Sequence, residues 1–364
     1  MNLTERRKSR IVIVDDSAVI RRLLGSALRA DPEIEVVGEA ADVFSANELI
    51  AAHKPDVVTL DLEMPRMDGL AFLKHLMTHD PRAVIIVSSY TPEGSAASVE
   101  ALRAGAVDVI PKPPNPQAVP AFAGRLRRRI RALRGCELRL RPMTDASRTD
   151  RPGRFAPTIR RANAIIAIGA STGGPPALER VLGGLPPDTP PVLIVQHIPA
   201  HFTRLLAKHL DDTSPMHVVE ASHHQELKSG TAYLAPGGYH MTVGPREDRF
   251  MIALRKGPAV HRQRPSVDVL FDSLARLRGI PIVGVLLTGM GEDGADGLVA
   301  LRNAGHQTIA EDQQSCVVFG MPKEAIERGG ARHTAPIERI PMLIGDCLAG
   351  FEAESQNGRR RSVV

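Results

Sequence analysis

Short apolar runs rich in β-branched residues alternate with amphipathic helical patterns in two separate stretches of the chain, and this alternation constrains the fold more than any other feature. From Arg10 onward, "RIVIVDD", "IEVVGEA", "DVVTLDL", "AVIIVSS" and "VDVIPK" read as five strands whose nearly continuous apolar content suits burial on both faces of a parallel sheet. Segments such as "SAVIRRLLGSALRA" and "GLAFLKHLMTHD" fall between them, which implies right-handed βαβ units and a doubly wound, flavodoxin-like α/β sheet. A fifth helix carries Val119, Phe122, Leu126, Ile130 and Leu133 at steps of three and four before it gives way to arginines. These elements outline a first domain over residues 8–134.

A second alternation starts at "AIIAIGA" and "PVLIVQH" and resumes with "SVDVLFDSLARLRG", "IPIVGVLLTGM", "GADGLVALRNAG" and "HQTIAED". Its middle, from about His217 to Lys256, is richer in short strands and Gly/Pro turns and is expected to form antiparallel excursions from a mostly parallel sheet. The second α/β domain is thus expected over 162–352. A flexible, arginine-rich linker is expected at 135–161 and a disordered tail at 353–364. At 364 residues the chain has room for two domains that each bury a proper core.

Charge at first invites a nucleic-acid reading, because the net charge is +5. Between Gly124 and Ala162, however, stand 13 arginines against Glu137, Asp145 and Asp150, a local +10, so the remainder is about five negative. Aromatic residues make up 3% and tryptophan is absent, which leaves few platforms for stacking bases. No nucleic-acid partner is expected. No apolar run reaches the roughly 18 to 20 residues that a membrane span needs, and "MNLTERRKSR" lacks a signal-peptide core. The expected location is the cytoplasm, without membrane insertion. The three cysteines, Cys136, Cys316 and Cys347, have no metal-binding spacing and read as bystanders. His223 and His224 are adjacent, but no HExxH accompanies them, so no zinc site is expected.

In the first domain, strand one ends in Asp15 and Asp16 and strand three in Asp61. The carboxyl ends of strands in a doubly wound sheet line one crevice, so these carboxylates should converge, repel one another and favour a hard cation such as Mg2+. Ser88 and Lys112 close strands four and five and bring a hydroxyl and an ammonium to the same edge. Such a set suits a phosphoryl group on Asp61. With "VDDS", "LDLEMPRMDG", "VSS" and "PKP" in this order, residues 10 to about 134 resemble the receiver domain of bacterial two-component response regulators. The resemblance implies that Asp61 accepts phosphate from a histidine kinase, that Asp15, Asp16 and Asp61 bind Mg2+, and that Ser88 and Lys112 sense the phosphoryl group. One position departs from the pattern, for Val109 stands where an aromatic switch residue is usual.

The second domain opens on "IGASTGG", in which Gly169 to Gly173 match GxSxG at a strand-to-helix turn. Three roles compete for Ser171: a nucleophile, a residue of a dinucleotide-binding loop, or a helix cap. A dinucleotide loop calls for an acidic residue at the end of the next strand, and that strand ends in His197. Both Ser171 and His197 should therefore emerge at the same carboxyl edge. The strand "IPIVGVLLTGM" runs into "GEDGADG" and brings Asp293 there too. A hydroxyl, an imidazole and a carboxylate in one crevice follow the logic of a catalytic triad. Their chain order, Ser171, His197, Asp293, differs from that of α/β-hydrolases.

"IGASTGGPPAL", "VQHIP", "LAPGGYHM", "RPSVDVLFDSLA", "LLTGMGEDGADGL" and "DQQSCVVFGMP" together resemble the catalytic domain of chemotaxis protein-glutamate methylesterases over 162 to about 350. A receiver, a linker and this domain is that family's arrangement. The resemblance implies Ser171 as nucleophile, His197 as general base and Asp293, rather than nearby Asp296, as the orienting acid. It also implies an oxyanion-hole N–H from Met290, to which Thr172, at a helix start, adds a candidate donor. Its substrates would be methylated chemoreceptors, hydrolysed to glutamate and methanol, together with specific receptor glutamines, deamidated by the same attack. The esterase reaction would need no cofactor. By the same resemblance the unphosphorylated receiver packs over the catalytic edge, and phosphorylation of Asp61 shifts it. Three rivals are a DNA-binding output domain, a nucleotide-dependent oxidoreductase and a non-catalytic receptor-binding regulator; the strand-helix alternation after the linker argues against the first.

Overall fold

The computed structural model describes residues 7–64, 67–89, 91–133, 164–247 and 249–361. They form two compact units, one before and one after residue 147. The linker expected at 135–161 lies outside the described residues.

The first unit runs β1 (Ser9–Val14), α1 (Ala18–Arg29), β2 (Ile34–Ala40), α2 (Val43–His53) and β3 (Val57–Leu60). A two-residue pair, β4 (Glu63–Met64) and β5 (Met67–Asp68), precedes α3 (Gly69–His79), β6 (Ala83–Ser88), α4 (Pro92–Arg103), β7 (Asp108–Pro111) and α5 (Val119–Leu133). The five main strands are parallel in the order β2-β1-β3-β6-β7, the flavodoxin-like order expected. Buried Ile11, Ile13, Val58, Leu60, Val84 and Ile86 fill the sheet. The first three helices start on local side-chain caps. Ser17 Oγ accepts Ile20 N–H and Asp68 Oδ1 accepts Leu70 and Ala71 N–H, satisfying donors that a helix start leaves open. Caps at these positions bring the strand-end carboxylates to one edge.

The second unit begins with β8 (Ile165–Ala170), α6 (Gly174–Gly183), β9 (Val192–Gln196), α7 (Ala200–Thr213), β10 (His217–Glu220) and β11 (Thr231–Leu234). It continues with β12 (His240–Arg246), β13 (Arg249–Arg255), α8 (Val267–Ala275), β14 (Ile282–Leu286), α9 (Ala295–Asn303), β15 (Gln307–Glu311), α10 (Met321–Glu327), β16 (His333–Ala335) and α11 (Ile340–Arg361). Seven strands form a parallel sheet in the order β10-β11-β9-β8-β14-β15-β16. Apolar clusters cover both faces, one built on Ile166, Ile168, Leu178 and Leu206, the other on Ile165, Leu193, Phe271 and Leu298. Full burial of each such side chain contributes about 1.5–3 kcal/mol. Among the described residues no helix is long and apolar enough to cross a membrane.

Two expectations change here. Of the region read as antiparallel, the hairpin β12–β13 is so paired and Glu226 forms an antiparallel bridge with Met251 of β13, whereas β10 and β11 extend the parallel sheet, because the residues between them are long enough to return the chain in the same direction. The chain beyond 352, expected to be a tail without structure, continues α11 to Arg361. Elongating a helix whose first turns are anchored by buried Ile340 and Ile344 costs little per residue.

Candidate active site and phosphoacceptor site

Register in the second sheet decides which side chains meet. Ala170 pairs with Gln196 across β8 and β9, and His197 N–H donates to Ala170 O at 3.1 Å, so Ser171 and His197 leave neighbouring strands side by side. On the other flank of β8, Leu286 of β14 pairs with Gly169, and the chain beyond it carries Asp293 back to the same edge. The expected trio thus gathers at one rim.

His197 and Asp293 are joined directly, with Nε2 2.7 Å from Oδ2 and both side chains almost wholly buried. Asp293 also accepts Val267 N–H at 2.8 Å on Oδ2, and on Oδ1 the Ser266 hydroxyl at 2.7 Å and Asp268 N–H at 3.1 Å. Burial works to push the Asp293 carboxyl up. The hydrogen bond and charge of His197, with the Val267 and Ser266 donors, outweigh burial and hold it below the usual carboxylate range. Asp268 behaves oppositely: burial first, and the charge of Asp293, push it up to about 6 even though Gly297 N–H donates to its Oδ1 at 2.7 Å. That contact caps the start of α9 and fixes the loop carrying Asp293.

With Nε2 committed to Asp293, His197 has Nδ1 left, and this buried nitrogen has no hydrogen-bond partner among the described residues. Ser171 Oγ is likewise buried and without one. No hydrogen bond joins the two in this structure, a looseness common at serine sites before substrate tightens them. Ser171 does not cap the helix, for the cap position of α6 is Gly173, with no side-chain cap bond and φ +77°, a conformation suited to glycine. A dinucleotide loop also lacks its acid, because the neighbouring strand ends in His197. Of the three roles open to Ser171, the nucleophile is the one its surroundings fit.

Thr172 and Met290 lie on the two turns that flank the serine. Ser171 N–H donates to Thr288 O at 3.0 Å, and the Thr288 hydroxyl donates to Thr172 O at 3.0 Å. The next residue, Gly289, packs so closely that a Cβ there would stand 2.8 Å from Ser171 Cβ and 2.3 Å from the Met321 sulfur. The Met290 turn therefore abuts the serine. Asp296 points elsewhere, into an ion pair with Arg328 at 2.7 Å.

Several contributors escaped the sequence reading. Gln196 Nε2 donates to the carbonyls of Ser171 at 2.8 Å and His197 at 3.3 Å, tying the two residues together. Ser266 and Thr288 hold the acid and the serine turn. A polar residue at the end of an otherwise apolar strand is the signal that could have marked Gln196, and the "PS" before the apolar helix α8 could have marked Ser266 as a cap with a spare donor.

In the first unit, Asp15 and Asp61 are buried and Asp16 exposed, and each offers one oxygen within 4.8 Å of the others. Lys112 Nζ lies 2.7 Å from Asp61 Oδ2 and 2.9 Å from Asp15 Oδ2. Burial opposes the Lys112 charge, but the hydrogen bonds and charges of Asp61 and then Asp15 exceed it and raise the ammonium above its ordinary value. Asp15 is raised mainly by burial, with Asp61 adding and Lys112 opposing. One ammonium for three carboxylates leaves negative charge over, and three hard oxygens are the donor set a divalent cation takes. Ser88 is fully buried at the end of β6, its carbonyl accepting Lys112 N–H at 2.7 Å, and Val109 is buried within β7.

A family model described as CheB methylesterase matches residues 166–344, and one described as response regulator receiver domain matches residues 11–122. A protein-glutamate methylesterase/protein-glutamine glutaminase of Anaeromyxobacter dehalogenans is 45% identical over 92% of this chain and 94% of its own length. One from Pseudomonas aeruginosa is 45% identical over 92% of this chain and 95% of its own. A crystal structure of the Thermotoga maritima CheB methylesterase catalytic domain, 40% identical, matches 50% of this chain and 97% of that chain with a TM-score of 0.49. The chain belongs to the receiver-linked protein-glutamate methylesterase/protein-glutamine glutaminase family.

Proposed function

We propose that the chain is a phosphorylation-activated serine esterase that hydrolyses glutamate 5-O-methyl esters on chemoreceptors to glutamate and methanol, and deamidates specific receptor glutamines. The observation that carries this reading is a pair of partnerless buried atoms, Ser171 Oγ and His197 Nδ1, on adjacent strand ends, with the far side of the imidazole held by Asp293. His197 takes the Ser171 proton on Nδ1 as the hydroxyl attacks the ester carbonyl, and Asp293 stabilises the imidazolium that forms. Backbone N–H groups of Met290 and Thr172 hold the oxyanion. His197 returns the proton to the departing methoxide oxygen, or to the departing amide nitrogen of a glutamine, which leave as methanol or ammonia, and then activates the water that frees the glutamate. Asp293 supports this role because its four donors favour the carboxylate form.

Asp61 is the phosphoacceptor, supplied by a histidine kinase. Asp15, Asp16 and Asp61 would hold Mg2+, which supplies charge neutralisation for the phosphoryl group when bound. Lys112 and Ser88 sense the phosphoryl group. The domains are assigned as receiver 8–134, linker 135–161, catalytic domain 162–352 and tail 353–364, in the cytoplasm. Methanol release from membranes bearing methylated receptor, with and without acetyl phosphate, tests the reading. Release should rise with the phosphodonor, lose that rise in D61N and vanish in S171A. Release by S171A, or a rise that persists in D61N, would overturn it.

A further inference from the structure

Glu311, the last residue of β15, is 1% exposed, and among the described residues no lysine, arginine or histidine pairs with it. A buried carboxyl without a counter-ion is costly unless its oxygens are answered by donors. Here they are. Oε2 accepts Thr288 N–H at 2.7 Å, Oε1 accepts the Ser315 hydroxyl at 3.0 Å, and the Cys316 thiol adds a third donor.

Thr288 is where the consequence lies. The β14–β15 ladder runs through Leu286 and Ala310, and beyond it the strands diverge, so the Glu311 side chain takes the place of the next ladder acceptor for Thr288 N–H. The same Thr288 accepts Ser171 N–H on its carbonyl, donates its hydroxyl to Thr172 O, and accepts Val318 N–H on that hydroxyl at 3.0 Å. Across β9, β8, β14 and β15 the strand ends therefore read His197, Ser171, Thr288, Glu311 in spatial order.

We infer that Glu311 is a positioning residue for the nucleophile: by holding Thr288 N–H it fixes the turn whose carbonyl and hydroxyl set Ser171 and Thr172. This rests on the reading of Ser171 as nucleophile given above. The carboxylate form suits the task best, because Thr288, Ser315 and Cys316 all present hydrogens, while a protonated Glu311 would place its own hydrogen among them. Burial pushes the Glu311 carboxyl up to about 7 against those donors, and the titratable groups acting on it are the Cys316 thiol and the Asp312 carboxylate. Turnover should therefore gain with pH as Glu311 ionises.

The test measures kcat and KM for methanol release by the full chain, from acid to alkaline pH, in wild type, E311Q, E311M and S171A, with thermal melts alongside. E311M, of similar size but without an acceptor, should lower kcat about 10- to 100-fold, the scale of an ångström-level misplacement, with KM within about twofold. E311Q keeps an acceptor for Thr288 and should stay within about threefold of wild-type kcat at alkaline pH, but its profile should lose the Glu311 ionisation and keep only the one that belongs to the base His197, so that its acid limb is less steep than that of wild type. A folded E311M with near wild-type kcat, an E311Q as impaired as E311M, or an E311Q profile that superimposes on that of wild type would each overturn the inference. Should E311M fail to fold, the E311Q profile decides alone. An active S171A would instead overturn the nucleophile reading, whereas an inactive S171A beside a negative Glu311 result would overturn this inference only.

Discussion

Replacing Asp293 with Asn turns one oxygen of a carboxylate that takes four hydrogen bonds into an amide nitrogen, and so disturbs two of them. In the native structure Oδ2 faces His197 Nε2 and Val267 N–H, while Oδ1 faces the Ser266 hydroxyl and Asp268 N–H. An amide NH2 in either place opposes a backbone N–H that cannot turn away. If it replaces Oδ1, the Ser266 hydroxyl can rotate to accept, but Asp268 N–H is left buried and unanswered, at about 1–3 kcal/mol. If it replaces Oδ2, Val267 N–H is stranded, and His197 must accept on Nε2, which moves its proton to the nitrogen that should act as base. The first orientation wastes less, so D293N should lose about 1–3 kcal/mol of stability by denaturant unfolding. Its charge is gone from behind the imidazole in both cases. Methanol release should fall by about 10²–10⁴, the upper figure matching the wrong-tautomer outcome known for serine proteases. A D293N protein that melts like wild type and releases methanol within tenfold of it would refute the reasoning.

G289A should abolish activity and lower stability by a few kcal/mol, because the added methyl meets Ser171 Cβ at 2.8 Å and Met321 sulfur at 2.3 Å; activity and unfolding curves check this. Q196E exchanges the donor of two carbonyl bonds for an acceptor, so turnover should fall at least tenfold, which single-turnover kinetics would register. Glu311 is raised in the fold from 4.5 to about 7, so the folded state binds the extra proton between those values and its stability falls as pH rises through them; relative to E311Q, wild type should lose about 3 kcal/mol from pH 4.5 to 8 by chemical denaturation. Adding Mg2+ should raise the melting temperature of the first unit's transition, chelator should reverse that, and D16N should diminish it, as calorimetry would report.

How much of this was readable in the chain follows from the range of the interactions. All five receiver strands are apolar runs and the first three helices between them start on cap residues, local signals that survive without tertiary knowledge, and the order of Asp15, Asp61, Ser88 and Lys112 on strand ends follows from the βαβ rhythm alone. Ser171 and His197 were legible for the same reason, one strand apart. The parallel placement of β10 and β11 was not, because a short strand gives no local sign of which partner it will join. Gln196, Ser266 and Thr288 were equally hidden, since each acts through a hydrogen bond to residues 25 or more positions distant, or to a neighbour's carbonyl that no pattern marks. Glu311 carries no local mark of its role within "HQTIAED", and only its burial reveals it.

The most direct test of the central claim is to treat the full chain with a fluorophosphonate probe, map the adduct by mass spectrometry, and follow methanol release in the same samples. The adduct should sit on Ser171 alone, form more slowly in H197A, and abolish release in proportion to its formation. An adduct on any other residue, or methanol release undiminished once Ser171 is fully modified, would contradict the account.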